Sequence, residues 1–222
     1  MVGRAADEPC TCAGVWQART EQLLKMQCAA YPPLASSDER STSAAIRLAI
    51  VTALRSGCGK HTNVFLYGPN TSGKSHLLKP LAKVFDGCCF VRPAGKGNYP
   101  LEKLFGAKVC VLQDVRTSTF KLDWDDLLVW FEGDQFTVPL PRNRYAEDRD
   151  YAEQAPIFIS TGSKFTIYIQ EAEKLGVDRQ EQSAMMNARF HFFHFPRSLM
   201  AAEKVDTPAC KRCFAVWLLA DM

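Results

Sequence analysis

Residues 64–75, Val-Phe-Leu-Tyr-Gly-Pro-Asn-Thr-Ser-Gly-Lys-Ser, give the clearest indication of the fold. Four apolar residues in a row that end at a glycine are typical of a short buried strand. The residues that follow, 75–85, have apolar side chains at helical spacing. The stretch therefore predicts a strand, a glycine-rich turn and a helix in direct succession.

Short apolar runs alternate with helical patterns after this stretch. Further strands are predicted at 88–91, 109–112, 136–140, 156–160 and 190–195, and further helices at 124–131 and 179–188. Strands that alternate with helices form parallel sheets with crossover helices. The predicted fold class is therefore α/β, with a parallel sheet flanked by helices.

Helical spacing on the N-terminal side of the sheet, over 15–30 and 44–56, predicts a short helical lead-in. The predicted organisation has three parts. These are a lead-in at 1–57 with possible oligomerisation helices, an α/β core at 58–200 and a helical tail at 201–222.

The loop from Gly68 to Ser75 matches the phosphate-loop pattern of Gly, four residues, Gly, Lys and Ser or Thr. Glycines let backbone amides turn towards phosphate oxygens, and the following helix adds the positive end of its dipole. In such loops the lysine contacts the β- and γ-phosphates and the hydroxyl holds Mg²⁺. The pattern predicts a P-loop NTPase with ATP and Mg²⁺ as cofactors. The predicted nucleotide contacts are Gly68, Pro69, Asn70, Thr71, Ser72, Gly73, Lys74 and Ser75.

An acidic residue, Asp114, follows the apolar run at 109–112. A carboxylate at the end of a strand near a phosphate loop is suited to bind Mg²⁺ or to polarise water. Ser75 and Asp114 are therefore the predicted metal ligands. The alternative is an aspartate that stabilises a turn.

The order of motifs resembles the superfamily 3 helicases of small DNA viruses, which include papillomavirus, polyomavirus and parvovirus replication proteins. Residues 68–75 are similar to their first motif, 111–115 to the second and 155–162 to the third, the sensor motif. Residues 133–144 resemble the segment before their DNA-contacting hairpin, and 187–196 resemble the stretch with their arginine finger. The resemblance covers about residues 60–197.

This resemblance implies an AAA+-like core that acts as a hexamer-type ring in DNA replication, with ATP at subunit interfaces. Lys74, Asp114 and Arg189 would be catalytic, with Arg189 reaching into the neighbouring subunit's site. Arg142 and Arg144 would contact single-stranded DNA in a central channel. The alternatives are a strand-edge arginine at 189 and a solvated loop around 142–144, where acidic neighbours reduce the positive charge.

Two residues depart from the family pattern. Gln113 stands where the second motif has a first acid, and Gly162 stands where the sensor motif has asparagine. Both changes remove groups that bind Mg²⁺ or orient water, so we expect ATP binding to survive better than hydrolysis. Two alternatives remain: a hydrolysis-deficient remnant that binds nucleotide and DNA, and a small-molecule P-loop kinase.

Composition is ordinary for a globular chain, with 27 basic and 24 acidic residues among 222. No long apolar run or secretory signal is present, so we expect a soluble, intracellular protein, nuclear if it acts as a viral-type helicase. The nine cysteines are interpreted as reduced thiols. A zinc site from Cys10, Cys12, Cys210 and Cys213 is the less favoured alternative, because the two pairs lie at opposite ends of the chain.

Overall fold

The computed structural model describes residues 1–29, 39–91, 101–113, 122–140, 148–162, 176–203 and 207–220. Its helices are α1 (Val2–Asp7), α2 (Val15–Ala29), α3 (Glu39–Ser56), α4 (Lys74–Val84), α5 (Trp124–Glu132), α6 (Arg179–Asn187) and α7 (Lys211–Leu219). Its strands are β1 (Asn63–Tyr67), β2 (Cys89–Val91), β3 (Val109–Gln113), β4 (Phe136–Val138), β5 (Arg149–Tyr151), β6 (Ile157–Thr161) and β7 (Phe190–His194). None of the described helices is long and apolar enough to cross a membrane.

Five strands form one parallel sheet in the order β2-β3-β6-β1-β7. Its central strands are buried along almost their whole length because helices cover both faces, as is usual for parallel sheets. At the carboxyl end of β1, Tyr67 lies opposite Thr161 of β6 and His194 of β7. The glycine-rich loop therefore begins at the edge of the sheet where three parallel strands end together.

Alternate residues of β1 point into two separate cores. Phe65 packs in one cluster with Trp130 of α5, while Val64 and Leu66 pack in the other with Trp16 of α2. The second cluster also contains side chains from α3, α4 and α7. The N-terminal and C-terminal helices therefore cover one face of the sheet.

Most predicted strands and helices are confirmed to within one or two residues, and two elements differ most. The helix predicted at 44–56 begins at Glu39, and the extended stretch at 136–140 is a strand only to Val138. The pattern did not predict α1 or β5, because both are too short to show a clear apolar period. β5 pairs antiparallel with β4, with Val138 opposite Arg149. The two strands flank a connection of which residues 141–147 lie outside the described residues.

The two cysteine pairs meet in space, although they lie at opposite ends of the chain. The first pair precedes α2, and the second lies at the start of α7. Trp217 of α7 packs edge-on against Trp16 of α2, with ring centroids 6.0 Å apart. The Trp217 indole also donates a 2.6 Å hydrogen bond to Glu21. These contacts hold the two ends of the chain side by side.

Candidate functional site

The glycine-rich loop joins the carboxyl end of β1 to the amino end of α4. Gly68 donates its N–H to the carbonyl of Thr161 in the neighbouring strand at 3.2 Å. Three of its residues have left-handed φ values: Gly68 at 147°, Thr71 at 64° and Gly73 at 92°. Helix α4 begins directly after Gly73, so the positive end of its dipole faces the loop.

Two glycines are required by close packing as well as by their φ values. A Cβ on Gly68 would lie 2.0 Å from the carbonyl oxygen of Phe195, and one on Gly73 would lie 2.5 Å from the Leu23 side chain. A backbone oxygen cannot move aside as a leucine methyl can. The Gly68 position therefore tolerates a larger residue less well than the Gly73 position.

The loop is held from outside by α2 and by the segment after β7. The Gln27 amide donates to the carbonyls of Ser72 at 2.9 Å and Arg197 at 2.8 Å, and it accepts the Arg197 N–H at 3.0 Å. Leu199 donates its N–H to the carbonyl of Thr71 at 3.2 Å. Sequence reasoning missed these supports, because they lie far away along the chain and have no local pattern.

The Lys74 ammonium lies inside the loop. It donates to the carbonyls of Gly68 and Pro69, each at 2.8 Å, and to the Ser72 hydroxyl at 3.0 Å. An open cavity of about 230 Å³ adjoins it. The cavity is lined by Leu23, residues 71–76 and Leu199. A buried cation, a helix amino end and left-handed glycines together make a site suited to an anion.

His76 forms the floor of this cavity and is a residue that the sequence pattern did not single out. Its ring stacks on Trp16, with centroids 5.3 Å apart, and its Nε2 lies 3.1 Å from the Thr20 hydroxyl. Burial, with a smaller contribution from the charge of Lys79, lowers the pKa of His76 to about 4. The imidazole is therefore neutral at pH 7.

Acid is expected to destabilise the protein through His76. The unfolded chain binds this proton near pH 6.5 and the folded chain only near pH 4, so stability is lost as the pH falls through this window. The expected loss is on the order of 2 kcal/mol. Urea unfolding of wild type and His76→Gln across the window measures it. The stability difference between the two proteins should change with pH, and two parallel pH profiles would contradict the prediction.

The edge of the sheet beside the loop has few polar side chains in the described residues. Gln113 ends β3 half-buried, with Ser160 of β6 as its neighbour. Gly162 follows β6, and open space surrounds the position of a Cβ there. Asp114, the predicted metal ligand, lies outside the described residues. In the described residues, the carboxyl ends of β3 and β6 therefore hold an amide and hydroxyls.

Arg189 lies at the opposite edge of the sheet, just before β7 begins. Its guanidinium donates to the carbonyls of Leu128 at 3.2 Å and Met185 at 2.5 Å, and it pairs with Glu132 at 2.5 Å. Only 8% of the residue is exposed, and burial lowers its pKa while Glu132 opposes the shift. The side chain thus joins α5, α6 and β7 within its own subunit. Its role as an arginine finger stays a prediction.

Arg142 and Arg144, the predicted DNA contacts, lie outside the described residues. Two acids that follow them, Asp148 and Asp150, are described and contact β4 and the residues beside it. Asp150 accepts hydrogen bonds from Thr137 and Gln135, both at 2.8 Å, and Asp148 accepts the Leu140 N–H at 3.2 Å. These acids therefore stabilise the base of the connection between β4 and β5.

The same fold occurs in solved structures. Two apo structures of the NrS-1 C terminal region superimpose with TM-scores of 0.52 and 0.53, at 14% and 15% sequence identity. Each match covers 90% of this chain but only 45% and 44% of the other. The chain thus spans less than half the length of these neighbours, and at this identity the likeness shows the fold alone. No protein-family model and no curated protein matches the chain.

Proposed function

We propose that the chain binds ATP with Mg²⁺ at the loop from Gly68 to Ser75, as the nucleotide-binding core of a superfamily 3 helicase-like module. The observation that carries this proposal is the position of Lys74. Its ammonium lies inside a left-handed, glycine-rich turn at the amino end of α4, beside an open cavity. Phosphates bind where backbone N–H groups, a helix dipole and a lysine converge.

The residues present fit the triphosphate of ATP. Lys74 would exchange its contacts with loop carbonyls for the β- and γ-phosphates, and the Ser75 hydroxyl would hold Mg²⁺. The cavity of about 230 Å³ is smaller than the ~300–1,000 Å³ of most small-molecule sites. It therefore suits the phosphates, while the base and ribose would lie over the rim. ATP supplies a transferable phosphoryl group.

We expect Lys74→Ala to weaken binding of ATP and Mg²⁺ by about 30- to 100-fold, because it removes a charged donor from a buried anion site. Isothermal titration calorimetry of wild type and variant measures the change. The matched control is Lys83→Ala, since Lys83 is exposed in the last turn of the same helix. Equal affinity for Lys74→Ala and Lys83→Ala would contradict the proposed site, and so would a wild type that binds no ATP.

A second candidate, nucleotide binding without turnover, is favoured by the residues at the end of β3 and directly after β6. Gln113 has a neutral amide and Gly162 has no side chain, so neither provides the charge or the water-orienting group of the family motifs. Steady-state ATP hydrolysis by the purified protein, with Lys74→Ala as the blank, separates the candidates. Turnover at the level of the blank, with ATP binding intact, favours the binding remnant.

DNA and a ring of subunits belong to the same proposal. Arg142 and Arg144 would contact single-stranded DNA, and Asp114 would share Mg²⁺ with Ser75. A hexamer-type ring would place Arg189 near a neighbouring site only if its pairing with Glu132 were exchanged. Native mass measured with ATP and single-stranded DNA tests the assembly, and a monomer under all conditions would rule out the ring. The small-molecule kinase is the third candidate, and no observation among the described residues favours it.

A further inference from the structure

Four cysteine sulfurs from opposite ends of the chain converge on one point. Cys10 lies 3.9 Å from Cys12, 4.0 Å from Cys210 and 3.4 Å from Cys213, measured between Sγ atoms. Cys12 lies 3.4 Å from Cys213, and all four sulfurs fall within 4.8 Å of one another. The other cysteines of the chain lie outside this cluster.

These separations match a tetrahedral tetrathiolate site. Zn–S bonds of about 2.3 Å in tetrahedral geometry place the sulfurs about 3.8 Å apart. A disulfide needs its sulfurs at about 2.05 Å, well below the shortest separation here. The spacing of every close pair therefore fits a shared metal ion better than a covalent bond between two cysteines.

Backbone N–H groups point at both sulfurs of the first pair. The N–H of Gly14 points at the Cys10 sulfur, and that of Trp16 points at the Cys12 sulfur, both at 3.4 Å. The chain turns back between them through Ala13 at φ 48° and Gly14 at φ 80°. Such a turn wraps amide donors around sulfur, and these donors stabilise negative charge there.

The second pair uses a helix end in the same way. Cys210 is the N-cap of α7, and Cys213 lies in its first turn, so both sulfurs lie at the amino end of this helix. Both residues are buried, at 1% and 5% exposed. Arg212 lies between them along the chain and lines an open cleft that reaches the cluster beside Gly14. The cleft provides an entry path to the cluster.

We propose that Cys10, Cys12, Cys210 and Cys213 bind one structural Zn²⁺ ion. Zinc replaces the thiol protons, which pass to solvent, and forms four Zn–S bonds without any change of redox state. Because the ligand pairs lie 200 residues apart, the ion would join the first turns of the chain to its last helix. It would thereby fix α2, whose Leu23 and Gln27 contact the glycine-rich loop.

The first test uses the wild-type protein purified under reducing conditions. We expect one zinc ion per chain by elemental analysis and Zn–S distances of about 2.3 Å by X-ray absorption. Removal with a chelator should lower the melting temperature by about 10 °C or more, and added Zn²⁺ should restore it. A chain that takes up no zinc, holds iron in its place or melts unchanged after chelation would overturn the proposal.

Cysteine variants test whether these four residues bind the ion. Cys12→Ser should lose bound zinc, while Cys28→Ser and Cys88→Ser, at half-buried cysteines outside the cluster, should retain one ion per chain. If Cys12→Ser fails to fold, cobalt substitution of the wild type replaces it, with the visible absorption of tetrahedral cobalt thiolate as the expected signal. Zinc retained by Cys12→Ser, or no such absorption in the cobalt protein, would contradict the assignment. Because these measurements detect the bound metal ion, they are independent of ATP binding.

Discussion

Replacing Arg189 with methionine should lower the free energy of unfolding by about 3 kcal/mol, because the substitution leaves the carboxylate of Glu132 without its closest partner. Methionine preserves most of the side-chain volume, so the lost charge and hydrogen bonds dominate. Two backbone carbonyls, those of Leu128 and Met185, also lose their guanidinium donor. Urea unfolding of wild type and variant measures the loss.

The matched control removes the other cation of the same carboxylate. Lys60 lies 3.5 Å from Glu132, but its side chain is 65% exposed against 10% for Arg189. An exposed ion pair contributes about 0–1 kcal/mol, so Lys60→Met should change stability little. The double variant Arg189→Met, Glu132→Leu should recover part of the loss, since it leaves no unpaired carboxylate.

The same variants bear on the arginine finger. If Arg189 acts mainly on a neighbouring subunit, Arg189→Met should leave unfolding unchanged and lower only ATP turnover. Equal stability of the Arg189→Met and Lys60→Met proteins would therefore contradict a structural role for Arg189. A stability loss would instead assign Arg189 to the joint between α5, α6 and β7.

Substituting Gly68 with alanine should be the most damaging single change in the glycine-rich loop. The new Cβ would lie 2.0 Å from a backbone carbonyl oxygen of the segment after β7, and the φ of 147° is itself unfavourable for alanine. We expect a stability loss of at least about 3 kcal/mol and loss of ATP binding. Thermal unfolding and calorimetric titration measure the two effects.

Alanine variants at two other glycines separate the effect of the steric clash on stability from the effect of the φ angle. Gly87 has a φ of 72° but open space at its Cβ, so Gly87→Ala should cost about 1–2 kcal/mol. Gly162 has open space and no left-handed φ, so Gly162→Ala should stay within about 0.5 kcal/mol of wild type. If all three variants were equally stable, the close approach at Gly68 would not matter.

The order and type of most strands and helices can be predicted from local sequence patterns. Continuous apolar runs such as 64–67 mark buried parallel strands, and helical spacing marks the segments that cover them, because both signals are local. The pattern from Gly68 to Ser75 predicts a phosphate loop, and the structure places a glycine-rich turn between β1 and α4 there. Short polar elements such as β5 escape prediction because few of their residues face the core.

The contacts around the glycine-rich loop, the surroundings of Arg189 and the meeting of the cysteine pairs are visible only in the tertiary structure. Gln27 and Leu199 reach the loop through packing between elements, and the ring of His76 stacks on Trp16 of α2. No local pattern records these contacts. The family resemblance implies an intersubunit role for Arg189, with a strand-edge arginine as the alternative. In the structure, its side chain has three hydrogen-bond partners from α5 and α6. The two cysteine pairs meet because the first and last helices cover the same face of one sheet. Contacts between residues far apart in sequence depend on how whole elements pack, and that information is not contained in any single stretch of the chain.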